Sequence, residues 1–372
     1  MIKIVHIAMP LSGVGVYIKL LSENLNPNEF KNYIFCNKND ENLEIYDGNN
    51  QKVEEKHIDI YREINFFNDF KCYKQISELL KEVEPDLVHC HSAKAGIIGR
   101  LAALNLKIPS IYTPHAFSYL SAENTLKKLL FKSIEKSFKY SSSKILACSG
   151  SEYNRAIEEL KFPTEKVLVW KNSINNVVQK KKVQFIEDLP KEYICTIGRP
   201  SYQKNTELLI ETIYRAKKEI SNIHLVILGI GLFSPSLQKV KNLIVKLNIS
   251  KNVTLLEWVN REDSLSILEN SLFFVSSSRY EGLSYAGLEA LMFSKPGVLT
   301  DVDGNRDLID NNINGFLVEA NSNIFAKRII ELLNNRKLLF VMSEASKQKF
   351  ETQFNIEKNI KLLEEIYKNL LE

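Results

Sequence analysis

Short apolar runs alternate along this chain with longer stretches whose apolar positions recur at helical spacing. IKIVHIA, NYIFC, DLVHC, SIYT and SKILACS read as strands, because each is too short for a typical helix and turn formers bound several of them. Between them, FNDFKCYKQISELLKEVE places Phe70, Tyr73, Ile76, Leu79, Leu80 and Val83 at helix period. Near-continuous apolar strands separated by helices predict parallel strands covered on both faces. The alternation pauses over NSINNVVQKKKVQFIEDLP, which is polar, basic and without a period. It then restarts with EYICTIG, a helix over 204–220, IHLVILG, a helix over 235–248, VTLLEWV, a helix over 261–269, LFFVSS, a helix over 284–293 and PGVLT. The pattern predicts two doubly wound α/β domains, 1–173 and 191–353, joined by a linker over 174–190. Sheets of this kind bind ligands at the carboxyl ends of their strands. In the last segment, 354–372, Ile356, Ile360, Leu363, Tyr367 and Leu370 form an apolar stripe, widened by Leu362 and Ile366. A stripe of that kind needs a surface to cover it, on its own half or across on the first.

A length of 372 residues suits two cores rather than one. The chain is 44% hydrophobic and 25% charged, as ordinary globular proteins are. A net charge of +4 is compatible with an anionic substrate or membrane surface and too weak to argue for nucleic acid. No apolar run reaches bilayer length, and the start of the chain lacks a cleavable leader pattern, so a cytoplasmic location is expected. Cys36, Cys72, Cys90, Cys148 and Cys195 are scattered without zinc-ligand spacing, which predicts buried free thiols.

The candidate chemistry gathers in SSSRYEGLSYAGLEALMF. After the strand LFFVSS, Gly282 suits a sharp turn and Ser284 an N-cap. Glu281 would then stand in the turn, and Glu289 in the second turn of the helix. Backbone amides from Leu283, Ser284 and Tyr285 to Ala286 would form a phosphate site, while carboxylates on either side accept hydrogen bonds from hydroxyls. In TIGRPSYQKN, Gly198 follows a strand and Arg199 and Lys204 follow it, a loop suited to a diphosphate. Gly13 and Gly15, between the first strand and the first helix, form only a partial glycine fingerprint. Gly229 in LGIG is equally weak alone. His89, His91 and His115 lie at strand ends, and with no carboxylate nearby to complete a metal site, none is assigned. His115 suits contact with a substrate hydroxyl or phosphate. Asp301 and Asp303 read as a loop rather than metal ligands. TLKKLLFKSIEKSFKYSSSK is a basic amphipathic helix with Leu126, Leu129, Leu130, Ile134 and Phe138 on one side. It suits a solvated surface or a dock onto anionic lipid headgroups.

RYEGLSYAGLEA resembles the signature of glycosyltransferase family 4, a Glu, seven residues, then Glu-Ala. IGRPSYQKN resembles the family's Gly-Arg…Lys-Asn loop, GVGVY its first glycine loop and YTPHAF its histidine loop. ACSGSEYNR and VWKNSIN are similar to segments that lead into its interdomain hinge. The resemblance implies a GT-B fold, two Rossmann-like domains with an interdomain cleft, acceptor on the first and donor on the second. It implies retaining transfer of a hexosyl or N-acetylhexosaminyl group from a nucleotide-diphosphate sugar, with UDP the expected nucleotide and neither metal nor cofactor required. By the same resemblance Glu289 takes ribose hydroxyls and Glu281 sugar hydroxyls, and Arg199 and Lys204 neutralise the diphosphate. Gly13 and Gly15 let backbone approach the diphosphate, and His115 contacts the donor sugar. The terminal helix commonly crosses back to the first domain. HSAKAGIIGRLAA is similar to transferases that build bacterial exopolysaccharide or lipid-linked glycans, which implies a saccharide or polyprenyl-linked saccharide acceptor and an optional contact with the inner face of the membrane. A nucleotide-sugar epimerase of the same architecture is the alternative. Leu283-Ser284 replaces the bulky Phe or Pro common after the first Glu-Gly, and Gly287 is unusual inside a helix, suiting close backbone packing.

Overall fold

The structure, a computed structural model, describes residues 1–9, 13–37, 44–61, 63–122, 124–176, 189–231, 234–257 and 259–372. The chain divides into two compact units, Met1–Asn175 with Ile356–Glu372, and Asn176–Asn355. Most of the linker expected over 174–190 lies outside the described residues.

The first unit is built on β1 (Ile2–Ile7), β2 (Phe30–Cys36), β3 (Glu54–His57), β4 (Leu87–His91), β5 (Ser110–Thr113), β6 (Lys144–Ala147) and β7 (Val167–Val169). They form one parallel sheet in the order β3-β2-β1-β4-β5-β6-β7. Helices α1 (Gly13–Asn24), α2 (Phe66–Val83), α3 (Ala93–Asn105), α4 (Thr125–Ser137) and α5 (Gly150–Glu158) connect them. The two edge strands escape the apolar pattern: β3 reads EEKH, a charged edge, and β7 is a three-residue strand. The glycines expected between strand and helix, Gly13 and Gly15, instead stand in the first turn of α1, and residues 10–12 lie outside the described set.

The second unit carries β8 (Ile194–Ile197), β9 (Leu225–Ile230), β10 (Val253–Glu257), β11 (Phe274–Ser276), β12 (Gly297–Thr300) and β13 (Gly315–Val318). They are also parallel, in the order β10-β9-β8-β11-β12-β13. Its helices are α6 (Thr206–Ala216), α7 (Leu237–Lys246), α8 (Arg261–Asn270), α9 (Tyr285–Met292), α10 (Asn305–Leu308), α11 (Ser322–Asn334) and α12 (Arg336–Gln353). α6 begins at Thr206 rather than 204 because Asn205 holds a left-handed backbone, φ 50°, which a continuing helix does not allow. Gly287 in α9 packs closely: a Cβ there would lie 2.3 Å from Cδ1 of Leu308 on α10, so that side chain would have to shift.

The last helix, α13 (Ile356–Asn369), belongs to the first unit. Ile356, Ile360, Leu363 and Tyr367 are buried, while Leu362 is 49% exposed, so the stripe is narrower than its sequence. The helix is tied to β7's exit, with the Trp170 indole N–H donating to the Asn359 carbonyl (2.9 Å) and the Ile356 N–H to the Ile174 carbonyl (3.1 Å).

Two helices roll differently from their sequence pattern. On α2 the buried line is Cys72, Ile76, Leu80 and Val83, and Phe70 is half exposed. On α4 the leucines face out: Leu126, Leu129 and Leu130 are all exposed, and Glu135 is buried. The cause is Arg100 of α3, also buried, between the rings of Tyr112 (3.9 Å) and Phe138 (3.6 Å). An unpaired buried charge is more costly than three exposed leucines, so Glu135 turns inward to meet it at 3.3 Å. All five cysteines are buried, and none forms a disulfide. Among the described residues no helix is long and apolar enough to cross a membrane.

Candidate active site

Strand order reverses once in each sheet. In the second unit, β8 has β9 on one side and β11 on the other. Chains leaving neighbouring strands toward opposite ends of a sheet open a crevice at the strands' carboxyl ends. The loop after β8 carries Arg199 and Lys204, and the turn after β11 carries Glu281. The two segments are stapled together. Ser277 Oγ donates to the carbonyls of Lys204 (3.0 Å) and Asn205 (2.9 Å), and the Arg279 N–H donates to the Gln203 carbonyl (2.8 Å).

Glu281 is buried, and its carboxylate is heavily solvated by protein. Oε1 accepts from the Lys204 ammonium at 2.5 Å and from Ser278 Oγ at 2.6 Å, and Oε2 accepts from the Gln203 amide at 3.3 Å. A carboxylate offers about four lone-pair sites, so one remains for a ligand hydroxyl. The Lys204 stem lies along Gly198, where a Cβ would stand 3.0 Å from Cε. Gly229, at φ 85°, backs onto the same spot, 3.1 Å from the Gly198 nitrogen. Arg199 is half-buried beside them.

Ser284 caps α9, its Oγ accepting from the Gly287 N–H at 3.4 Å, and Leu283 and Gly282 are buried just before it while Tyr285 is half-buried. Glu289, in the second turn, is buried, and its Oε1 lies 2.8 Å from the guanidinium of Arg261 at the start of α8. Burial pushes its carboxyl above the ordinary range, and Arg261 offsets part of that rise. Gly304, at φ 74°, presses on the turn from the other side: a Cβ there would meet the Gly282 carbonyl oxygen at 2.4 Å. The neighbouring Asp301 and Asp303 both face Arg306, at 2.6 and 3.3 Å. Arg261, Gln203 and Gly304 carry no spacing signal that ties them to the glutamates; only the fold brings them here.

In the first unit the reversal falls between β1 and β4. α1, with Gly13 and Gly15 in its first turn, starts beyond β1, and His115 follows β5. His115 is half-buried in a left-handed conformation, φ 53°, followed by Ala116 at φ 79°. Two such residues in a row are strained and need an external hold. Glu152 supplies it, taking the N–H groups of Ala116 and Cys148 at 2.8 Å each.

Behind His115 stand three buried imidazoles, His6, His89 and His91, with one nitrogen of each within 4.8 Å of the others. All six of their ring nitrogens have hydrogen-bond partners: Asn32 and His91 for His6, Tyr367 and Thr113 for His89, His6 and His115 for His91. The sequence singled out His89 and His91 but not His6, which sits in β1 without any motif around it.

The family model "Glycosyltransferase Family 4" matches residues 11–176, and "Glycosyl transferases group 1" matches residues 177–349. The O-antigen biosynthesis glycosyltransferase WbnH of Escherichia coli is 30% identical over 69% of this chain and 70% of its own length. This chain belongs to glycosyltransferase family 4. A second E. coli relative, UDP-Gal:alpha-D-GlcNAc-diphosphoundecaprenol alpha-1,3-galactosyltransferase, is 29% identical over 98% of this chain and 96% of its own. Among solved structures, Anabaena Alr3699/HepE in complex with UDP-glucose matches with a TM-score of 0.81 at 16% identity, covering 99% of this chain and 100% of that one. The two parallel-sheet units are those of the GT-B fold, and the enzyme is a glycosyltransferase.

The Arg261–Glu289 contact makes a prediction about this transferase without any ligand. Glu289's folded pKa is raised above its unfolded value of 4.5, so its charge opposes folding, and stability is lost as pH rises through the window between the two. Removing Arg261 raises the folded pKa further. Arg261→Ala should therefore cost little at pH 4.5 and about 1.5–3 kcal/mol at pH 7, the range for a charged hydrogen bond. Urea unfolding of both proteins at the two pH values measures it, and a difference independent of pH would contradict the pairing.

Proposed function

We infer that this transferase moves a hexosyl or N-acetylhexosaminyl group from a nucleotide-diphosphate sugar, with UDP as the nucleotide, to a saccharide or polyprenyl-linked saccharide acceptor, retaining the anomeric configuration. The observation that carries this assignment is the Lys204–Glu281 pair at the β8/β11 reversal, 2.5 Å apart. An ammonium has three donors and spends one on Glu281, so Lys204 can hold a phosphate oxygen while Glu281 accepts a sugar hydroxyl. The pair is neutral as a whole. Net positive potential for the departing diphosphate comes from Arg199 and the N-terminal end of α9, around Leu283, Ser284 and Tyr285. Gly13, Gly15, Gly198, Gly229 and Gly282 let backbone come close to the donor, Glu289 takes the ribose hydroxyls, and His115 takes a hydroxyl of the donor sugar. Catalysis is electrostatic and positional, strongest where charge grows on the leaving diphosphate. The names of the relatives support the substrate classes: one is named for UDP-galactose and a diphosphoundecaprenol-linked acceptor, and another was solved with UDP-glucose. An epimerase would act on the donor with no acceptor present, whereas this enzyme should release nucleotide only when acceptor is added.

No metal takes part in the reaction as proposed, since Arg306 faces both acids of the Asp301–Asp303 loop and the α9 site supplies the positive charge. A lipid-linked acceptor also accounts for an unusual surface. Phe66, Phe67 and Phe70 on α2 and Leu126, Leu129 and Leu130 on α4 are exposed, with Lys71, Lys74, Lys127 and Lys128 beside them. Both helices start on the edge of the sheet where parallel strands end, so one membrane-facing edge is proposed.

Glu289→Ala should weaken binding of the nucleotide diphosphate by about 1.5–3 kcal/mol, roughly tenfold to a hundredfold, as expected for a lost hydrogen bond to a charged group. Calorimetry with UDP reads it, and unchanged affinity would remove Glu289 from the ribose. Turnover should persist in EDTA; abolition by chelator, rescue by Mn²⁺ and mimicry by Asp301→Ala would overturn the metal-free mechanism. The protein should co-sediment with vesicles containing anionic lipid and lose at least half of that binding in a Phe66→Ser/Phe67→Ser/Leu126→Ser variant. Equal sedimentation of the two proteins would remove the membrane edge.

A further inference from the structure

The imidazoles behind His115 form an ordered chain. The Nε2 of His6 lies 3.2 Å from Oδ1 of Asn32, Nδ1 of His6 lies 3.1 Å from Nε2 of His91, and Nδ1 of His91 lies 3.3 Å from Nε2 of His115. Asn32 and the first two rings are buried, and the successive atoms lie at direct hydrogen-bond distance. Burial holds all three histidines neutral near pH 7, with His6 lowered to about 4, His115 to about 3 and His91 well below its ordinary value. A neutral imidazole carries one N–H. Each nitrogen–nitrogen contact in the chain therefore holds one proton, and the direction of one contact dictates the next.

The direction is set at the far end. An amide oxygen can only accept, so His6 must carry its proton on Nε2 and offer Nδ1 as a lone pair. His91 then donates from Nε2 and accepts at Nδ1, and His115 donates from Nε2. The remaining nitrogen of His115, Nδ1, makes no hydrogen bond among the described residues and belongs to a half-buried ring. We propose that Asn32, acting through His6 and His91, fixes the tautomer of His115 so that its Nδ1 presents a lone pair, which selects a hydroxyl and refuses a phosphate oxygen. Asn32, His6 and His91 are positioning residues. The ring itself is already located by the strained backbone that Glu152 pins and by Tyr17, whose ring stands edge-on with centroids 4.7 Å apart. What Asn32 adds is the choice of which nitrogen bears the proton. His89, although its ring centroid is 4.0 Å from that of His91, is held separately by Tyr367 and Thr113 and stands outside the chain.

The consequence for a hydroxyl rests on the role of His115 stated above; the tautomer does not, and it can be read without substrate. The protein has six histidines, so two-bond proton–nitrogen spectra of ¹⁵N-histidine-labelled protein resolve each ring. In the wild type, His6, His91 and His115 should all show protonated Nε2 and bare Nδ1. Asn32→Leu leaves the His6 Nε2–H without an acceptor, and a buried orphan N–H is worse than an orphan lone pair. The whole chain should then reverse, placing the proton of His115 on Nδ1. Asn32→Gln, which keeps a neutral amide oxygen as the acceptor, should keep the wild-type pattern. A wild-type His115 protonated on Nδ1 would overturn the proposal even if neither variant folds, and so would a folded Asn32→Leu protein whose His115 tautomer is unchanged. Transfer is measured alongside: kcat/KM should fall at least tenfold in Asn32→Leu and stay within threefold of wild type in Asn32→Gln. Reversal of the tautomer with undiminished transfer would confirm the chain and instead remove His115 from the sugar.

Discussion

A parallel sheet delivers all its strands to one edge, and each return to that edge needs a helix laid across a face. When successive connections run first toward one end of the sheet and then toward the other, two neighbouring strands end with no helix closing the gap between them. Both units of this transferase have one such gap, β1/β4 and β8/β11. The second gap brings Lys204 to Glu281, and the staples from Ser277 and Arg279 hold the two loops at a fixed separation. Gly198, Gly229, Gly282 and Gly304 are small where these loops touch, and any side chain at Gly304 would push the turn at Gly282 outward.

Within that frame, buried charge dictates the finer geometry. Glu281 and Glu289 are nearly equally buried but live in different surroundings. Glu281 is met by a cation, a hydroxyl and an amide, whereas Glu289 has one half-exposed guanidinium, and its carboxyl rises. Lys204 meets the Glu281 carboxylate directly, and Arg261 offsets part of the rise at Glu289. The same need turns α4: Glu135 goes inward to Arg100, and the leucines of that helix are left outside.

The interior of the first unit is unusually polar for a parallel sheet. β1 and β4 place His6, His89 and His91 where such strands ordinarily carry branched apolar residues. Burying them is tolerable because every ring nitrogen finds a partner. One partner, Tyr367, arrives on α13 from the far end of the chain, its hydroxyl 2.8 Å from His89. The terminal helix therefore completes a polar core as well as covering an apolar surface.

Alternating short and long periods carried the two doubly wound sheets, because apolar strands and amphipathic helices differ in period whatever surrounds them. The motif residues Arg199, Lys204, Glu281 and Glu289 were legible for a related reason: turns, caps and glycines are local, and each marks the loop in which it stands. Other features were decided by the tertiary structure. The edge strands β3, β7 and β13 are too short or too polar to stand out, and they exist because a neighbouring strand offers its ladder. The roll of α4 follows from a charge on another helix. Arg261 meets Glu289, and Asn32 meets His6, only after the sheets have formed, since no spacing along the chain relates them. Hydrophobic pattern is a property of neighbours in sequence, whereas the pairing of buried polar groups depends on distances in space that the chain sets only once it has folded.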